Sequence, residues 1–133
     1  MAPSLWDNTL ETGHARMDAD HLELATLFNL LREAVEQRKG KEFCASVLDR
    51  IIQHAKEHFR REQQLMAKHH YPKIEQHTAE HVMLLNQALN YRATFDTGAA
   101  EPQIAVIDFP DVWLGFHILF SDKDLARFLA HSR

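Results

Sequence analysis

Histidine is abundant in this chain, and several histidines are spaced as in metal-binding helices. Ten of the 133 residues are histidine, and many of them fall in the segment HFRREQQLMAKHHYPKIEQHTAEH at 58–81. Residues four apart on a helix share a face, so His58 and Glu62 point the same way, as do His77 and His81. Imidazole nitrogen and carboxylate oxygen both bind transition metals. Each pair could therefore supply two of the ligands of a metal ion.

Two further helical segments each place a histidine near mid-helix, His21 and His117. A single histidine on an apolar face is more often a core residue with one hydrogen bond than a ligand. Donors from four helices make that interpretation a poor one, because burying so many polar groups is costly unless a metal satisfies them together.

Asp122 follows His117 by five residues, which an ideal helix turns about 140° apart. Two interpretations stay open for this residue. A π-bulge would bring Asp122 back beside His117, and such bulges concentrate at functional sites. Alternatively, Asp122 begins a solvent-facing turn and binds nothing.

Four segments with helical periodicity carry these residues, at about 19–38, 41–69, 72–95 and 111–130. Gly40, the Tyr71-Pro72 step and a looser stretch at 96–109 separate them. In the third segment we expect five apolar residues to face inward: Ile74, Val82, Leu85, Leu89 and Phe95. Short connections force neighbouring helices to run in opposite directions. The predicted fold is all-α, an antiparallel up-down-up-down four-helix bundle, as a single domain at 1–133 with an N-terminal arm at 1–17.

Composition excludes several classes of protein. The net charge of −4 gives no electrostatic case for binding nucleic acid or an anionic membrane. Cys44 is the only cysteine, which excludes an internal disulfide and a thiolate-rich zinc or iron–sulfur site. Neither a secretory signal nor a membrane span is apparent. We therefore expect a cytoplasmic location.

Four motifs resemble the hemerythrin family in order and spacing: MDADH at 17–21, HFRRE at 58–62, HTAEH at 77–81 and WLGFHILFSD at 113–122. The resemblance covers about residues 5–130 and implies a non-haem centre of two iron ions with an oxo or hydroxo bridge. It implies that three histidines bind one iron, namely His77, His81 and His117. It implies His21 and His58 as ligands of the other iron, with Glu62 and Asp122 bridging the two.

The resemblance also implies a function, which is reversible dioxygen binding for carriage, storage or sensing, without catalysis. Dioxygen would bind at the vacant position beside His21 and His58, in a pocket lined by Leu24, Phe59, Leu114 and Ile118. Two alternatives stay open: a di-iron enzyme acting on nitric oxide or peroxide, and an iron-handling protein. A protein partner for oxygen delivery or signalling is possible.

Several further residues near the ligands differ from their surroundings in type or position. Asp20 and Glu80 each precede a ligand histidine and are candidate hydrogen-bond acceptors for the ligands, although solvated helix-face charges are the favoured interpretation. Five residues depart from the family pattern: His54, Arg60, Arg61, Gln63 and Gly115. The histidines at 14, 69, 70 and 131 are expected in the arm, a solvated loop and the C-terminus.

Overall fold

The computed structural model describes residues 11–96 and 117–131, and within these ranges the chain is all-α. Three long helices, α1 (Ala15–Glu36), α2 (Lys41–Lys68) and α3 (Ile74–Asp96), precede a fourth helical segment. That segment begins as a π-helix (His117–Asp122) and continues as α4 (Lys123–His131). No strand occurs in the described ranges, so the predicted all-α helical bundle is confirmed.

The start of α1 differs from the expected position, because local hydrogen bonds fix it at Ala15 rather than near residue 19. Nδ1 of His14 accepts from the backbone N–H of Met17 at 3.2 Å and caps the helix. The carboxylate of Asp18 accepts from the backbone N–H and the hydroxyl of Thr12. Residues 15–17, assigned to the arm from the sequence, thus belong to α1, and residues 1–10 lie outside the described ranges.

The other helix boundaries lie within two residues of the expected ones. The helix α1 ends at Glu36 rather than 38, and α2 ends at Lys68 rather than 69. The helix α3 begins at Ile74, two residues after the expected start, because Pro72 lies in the turn and the backbone N–H of Tyr71 bonds to the carbonyl of Met66. The predicted start of the fourth helix at 111 lies outside the described residues.

The core is built from the facing sides of α1, α2 and α3, together with Ile118 of the π-helix. α2 and α3 run in opposite directions, since Asp49 near the start of α2 pairs with Arg92 near the end of α3, whereas Glu62 contacts His77. Whether all four helices follow the up-down-up-down order stays a prediction.

The inward face of α3 differs from the one expected from its apolar residues. Val82 and Leu89 are exposed, at 53% and 42%, while Leu84 and Ala88 are buried. The cause is His81, which occupies the inward stripe; its neighbour Val82 is turned about 100° away from it. In α1, Leu22 is 48% exposed beside the buried His21 for the same reason.

Among the described residues, no helix is both long enough and apolar enough to span a lipid bilayer.

Candidate metal centre

The two i,i+4 pairs meet between α2 and α3. Nε2 of His58 lies 2.6 Å from Oε2 of Glu62 within α2. From α3, Nε2 of His77 and Nε2 of His81 lie 2.9 and 3.1 Å from the other carboxylate oxygen, Oε1 of Glu62. Glu62 therefore contacts histidines of both helices: helical spacing predicts its pairing with His58, and the packing of α2 against α3 supplies the contacts with His77 and His81.

The fourth segment contributes His117 and Asp122 through a π-helix. A π-helix bonds residues five apart, and here Nε2 of His117 lies 3.1 Å from Oδ1 of Asp122. Asp122 is fully buried, at 0% exposure. Of the two interpretations that the spacing left open, the π-bulge is confirmed and the solvent-facing turn is wrong.

His21 completes the cluster from α1. Its Nε2 lies 2.9 Å from Oδ2 of Asp122 and 3.1 Å from Nε2 of His58. Because α1 packs on α2, a single histidine on its inward stripe is enough to reach both carboxylates of the cluster, with 3.7 Å to Glu62.

All seven predicted ligands are buried and come together in two overlapping groups. The members of each group offer donor atoms within 4.8 Å of one another. One group consists of Glu62, His77, His81, His117 and Asp122. The other consists of His21, His58, Glu62 and Asp122. Glu62 and Asp122 belong to both, so the arrangement has the form of two adjacent donor sets that share two carboxylates.

The orientation of the donor atoms fits metal ions better than hydrogen bonds. Within the described residues, Oε2 of Glu62, both carboxylate oxygens of Asp122 and Nε2 of His117 form no hydrogen bond, although imidazole nitrogens lie 2.6–3.1 Å from these oxygens. Buried polar atoms are rarely left unsatisfied. Adjacent ligands of an octahedral ion with bonds of about 2.1 Å are about 3 Å apart, the spacing seen here. The residues therefore fit transition-metal ions.

The carboxylates of the cluster favour their ionised form. Burial alone would raise the pKa of Glu62, but hydrogen bonds from the surrounding imidazoles lower it well below its ordinary value. The pKa of Asp122 is lowered as well, since the nearby histidines outweigh its burial and the charge of Glu62. Ionised carboxylates are the form that binds metal.

Most of the histidines, in turn, hold protons more tightly when no metal is bound. Burial opposes the charged imidazole, yet the neighbouring carboxylates raise the pKa of His58 and of His77 to about 9. The pKa of His117 rises to about 10 for the same reason. His81 differs, because burial lowers its pKa. The metal-free cluster thus favours protonated imidazoles, and a bound metal ion would displace these protons.

Two outer carboxylates accept hydrogen bonds from ligand histidines. Oδ2 of Asp20 lies 2.9 Å from Nδ1 of His58, and Oε1 of Glu80 lies 3.0 Å from Nδ1 of His117. The favoured interpretation of both as solvated charges was wrong. Their position directly before a ligand histidine was a signal, but each bonds to a ligand on another helix, which only the fold reveals.

Three of the four predicted pocket residues are described and buried, and each lies within one helical turn of a ligand histidine along the chain. Leu24, Phe59 and Ile118 are buried, with 0–2% exposure. The ring of Phe59 stacks on that of His81, with centroids 4.0 Å apart and planes 8° from parallel. Leu114 lies outside the described residues, as does Gly115.

The remaining histidines of the described ranges lie away from the donor atoms. His54 is half-buried, with Nε2 3.3 Å from the backbone carbonyl of Asp20. His14 caps α1, and His69 and His70 lie at the end of α2, where they are half-buried and exposed.

Comparison with known proteins agrees with this geometry. The family model described as Hemerythrin HHE cation binding domain matches residues 12–129. The chain is 31% identical over 127 residues to Bacteriohemerythrin of Ralstonia nicotianae, covering 94% of this chain and 88% of that relative. It is 29% identical over 98 residues to Bacteriohemerythrin of Pseudomonas paraeruginosa, covering 74% of this chain but only 63% of that relative. The chain belongs to the hemerythrin family.

Proposed function

We propose that the cluster holds two iron ions and that the chain binds dioxygen reversibly at them. The observation that carries the proposal is that two donor groups share Glu62 and Asp122. One ion would be held by three histidines, His77, His81 and His117. The other would be held by His21 and His58, with both carboxylates common to the two.

The two positions differ in the number of imidazoles, and this difference supports binding of a small ligand. The position beside His21 and His58 has one histidine fewer than its neighbour. When bound, a ferrous pair supplies the electrons that dioxygen accepts. The chain supplies the unequal donor sets that leave one position open, and a neutral imidazole set that favours holding a ligand over cleaving it.

The surroundings of the cluster favour retention of a bound ligand. The seven ligand residues are buried, as are Leu24, Phe59 and Ile118, so water has little access to the donor atoms. The nearest outer carboxylates, Asp20 and Glu80, accept hydrogen bonds from ligand histidines. Engaged in this way, they are poorly placed to deliver protons for catalysis. Leu114 is proposed as a further wall of the pocket. A cytoplasmic location and a protein partner stay predictions.

Metal analysis and absorption spectroscopy of the reduced protein test this function. We expect about two irons per chain, consistent with the two donor groups. The reduced protein should gain a visible absorption band in air and lose it when oxygen is removed. Zinc alone in the purified protein, or no spectral response to oxygen, would contradict the proposal. Turnover of nitric oxide or peroxide with an electron donor would favour the enzymatic alternative.

A His58→Ala variant tests the assignment of the second position. It should keep one metal ion and lose the other, because His58 belongs to only one donor group. A matched control is His70→Asn, since His70 is exposed and its positive φ of 54° is tolerated by asparagine. The control should keep both ions. A complete di-iron spectrum in the His58 variant would contradict the assignment.

A further inference from the structure

Asp20 fixes the orientation of one ligand histidine. Its carboxylate is buried on α1 and lies 2.9 Å from Nδ1 of His58 on α2. A carboxylate only accepts hydrogen bonds, so Nδ1 of His58 donates. In the neutral imidazole that binds a metal ion, Nε2 of His58 then carries the lone pair, directed at the cluster beside Glu62 and His21. Such outer partners set the tautomer and the basicity of a ligand imidazole.

The same carboxylate also binds arginine. Nη2 and Nε of Arg61 lie 3.0 and 3.2 Å from Oδ2 of Asp20, the oxygen that His58 contacts. Nε of Arg16 lies 3.5 Å from the other oxygen, Oδ1. Arg61 follows His58 by three residues, so both are on one face of α2 and reach Asp20 together. The negative charge of Asp20 is therefore shared between the imidazole and two guanidinium groups.

Glu80, the corresponding acceptor on α3, has different partners. Its Oε1 accepts from Nδ1 of His117 at 3.0 Å and from the hydroxyl of Ser121 at 2.5 Å. Ser121 carries no charge. A carboxylate with an uncharged second partner polarises its histidine more strongly than one paired with arginine. The two donor groups thus contain histidines whose outer carboxylates differ in available charge.

We propose that Arg61 acts on the metal centre through Asp20: by sharing the negative charge of this carboxylate, it limits how strongly the hydrogen-bonded His58 donates to a bound metal ion. The inference rests on the proposed di-iron function. The pairing of Arg61 with Asp20 makes the metal position beside His21 and His58 poorer in electrons than the neighbouring position. A nearby cation and a weaker donor both disfavour the ferric state at that position.

Substitutions of the two partners should shift the midpoint potential of the iron centre in opposite directions. Arg61→Gln removes the cation, and we expect it to favour oxidation about tenfold, equivalent to ~59 mV downward for one electron. Asp20→Asn removes the carboxylate charge and should raise the potential by a similar factor. A merely structural role for the pair would give shifts of one sign, since either change loosens the same contact.

Two further variants act as controls. Arg61→Lys retains the charge and should leave the potential near that of the wild type. Arg60→Gln changes the exposed neighbouring arginine on α2 and should have no effect. The inference fails if Arg61→Gln shifts the potential no more than Arg60→Gln, or if Arg61→Gln and Asp20→Asn shift it in the same direction.

Binding of Co²⁺ separates a failure of this inference from a failure of the proposed function, because it needs no oxygen chemistry. Asp20→Asn should weaken binding of the second equivalent about 10- to 100-fold. Arg61→Gln should not weaken it, because removal of a cation favours a divalent ion. If the spectrum of the reduced wild-type protein does not change with oxygen, the proposed function is wrong. If both variants lose Co²⁺ affinity equally, the proposed role of Arg61 is wrong.

Discussion

The two carboxylates shared by the donor groups reach the cluster from helices of different geometry. Glu62 follows His58 by four residues in α2, a regular α-helix, with 2.6 Å between Nε2 and Oε2. Asp122 follows His117 by five residues in the π-helix, with 3.1 Å between Nε2 and Oδ1. A glutamate four residues on and an aspartate five residues on therefore occupy equivalent places, the shorter side chain being paired with the wider turn.

Glu62 and Asp122 also differ in which helices hold them in position. An α-helical turn recurs throughout a regular helix, whereas π-helical turns are rare and depend on their surroundings. Here Glu80 accepts from both His117 and Ser121, residues at either side of the turn. We infer that Glu62 is positioned by its own helix and that Asp122 is positioned in part by α3.

Replacement of the α-helical carboxylate should have the largest effect. Glu62→Ala removes a ligand common to both donor groups, so metal affinity should fall by more than about 100-fold, beyond the range for outer partners. Metal content after gel filtration measures the loss. Glu57→Ala is the matched control, because Glu57 is exposed on the same helix. Retention of two ions by the Glu62 variant would mean that Asp122 alone can join the two positions.

Replacement of Glu80, which accepts hydrogen bonds from two residues of the π-helix, should have the next largest effect. Glu80→Ala removes the acceptor for His117 and Ser121, and we expect a 10- to 100-fold loss of metal affinity. Titration with Co²⁺ measures it, with Glu75→Ala, an exposed glutamate of α3, as control. Equal affinities in both variants would show that the π-helix positions Asp122 without Glu80.

The regular parts of the molecule could be predicted from sequence because their contacts are local. The pairs His58–Glu62 and His77–His81 follow from helical spacing alone. For His117 and Asp122, periodicity gave two outcomes, since the segment HILFSD contains no residue that marks a π-helix. The resemblance to a family favoured the outcome that the structure shows.

Contacts between helices were the part that sequence did not determine. The acceptors Asp20 and Glu80 bond to histidines 38 and 37 residues away, so their roles require the packed fold. The exposure of Val82 has a similar origin, because an apolar pattern does not show that buried His81 takes the inward position.

Tyr71 gives a smaller, pH-dependent test of how the turn after α2 supports the end of the π-helix. Its hydroxyl donates to Oδ2 of Asp124, the second residue of α4, at 3.1 Å. Burial and this hydrogen bond raise the pKa of Tyr71 to about 12. The folded state thus favours the neutral phenol. The contribution of Tyr71 to the unfolding free energy is complete below the pKa of the unfolded state, about 10, and is lost as the pH rises through 12.

Between pH 9 and 11, the wild type should lose on the order of 1 kcal/mol of unfolding free energy through Tyr71. Tyr71→Phe should lack this share of the pH dependence, as measured by urea unfolding at each pH. Tyr91, whose pKa is also raised by burial, is present in both proteins and cancels in the difference. Parallel pH profiles for the two proteins would show that the contact with Asp124 does not hold α4.

Conversion of the π-helix into an α-helix tests whether the two geometries are equivalent. Deleting Phe120, which is 64% exposed, together with Asp122→Glu reproduces the spacing and side-chain length of His58 and Glu62. We expect two bound metal ions and, in the metal-free protein, a higher unfolding free energy, since an α-helical turn recurs throughout regular helices whereas a π-helical turn is rare. Asp122→Glu alone is the control, and overpacking of this fully buried position should cost it metal affinity. If the deletion variant gains stability but loses metal, the π-helix does more than set the spacing of His117 and Asp122. The α-helical geometry of α2 could then not replace the π-helical geometry of the fourth segment.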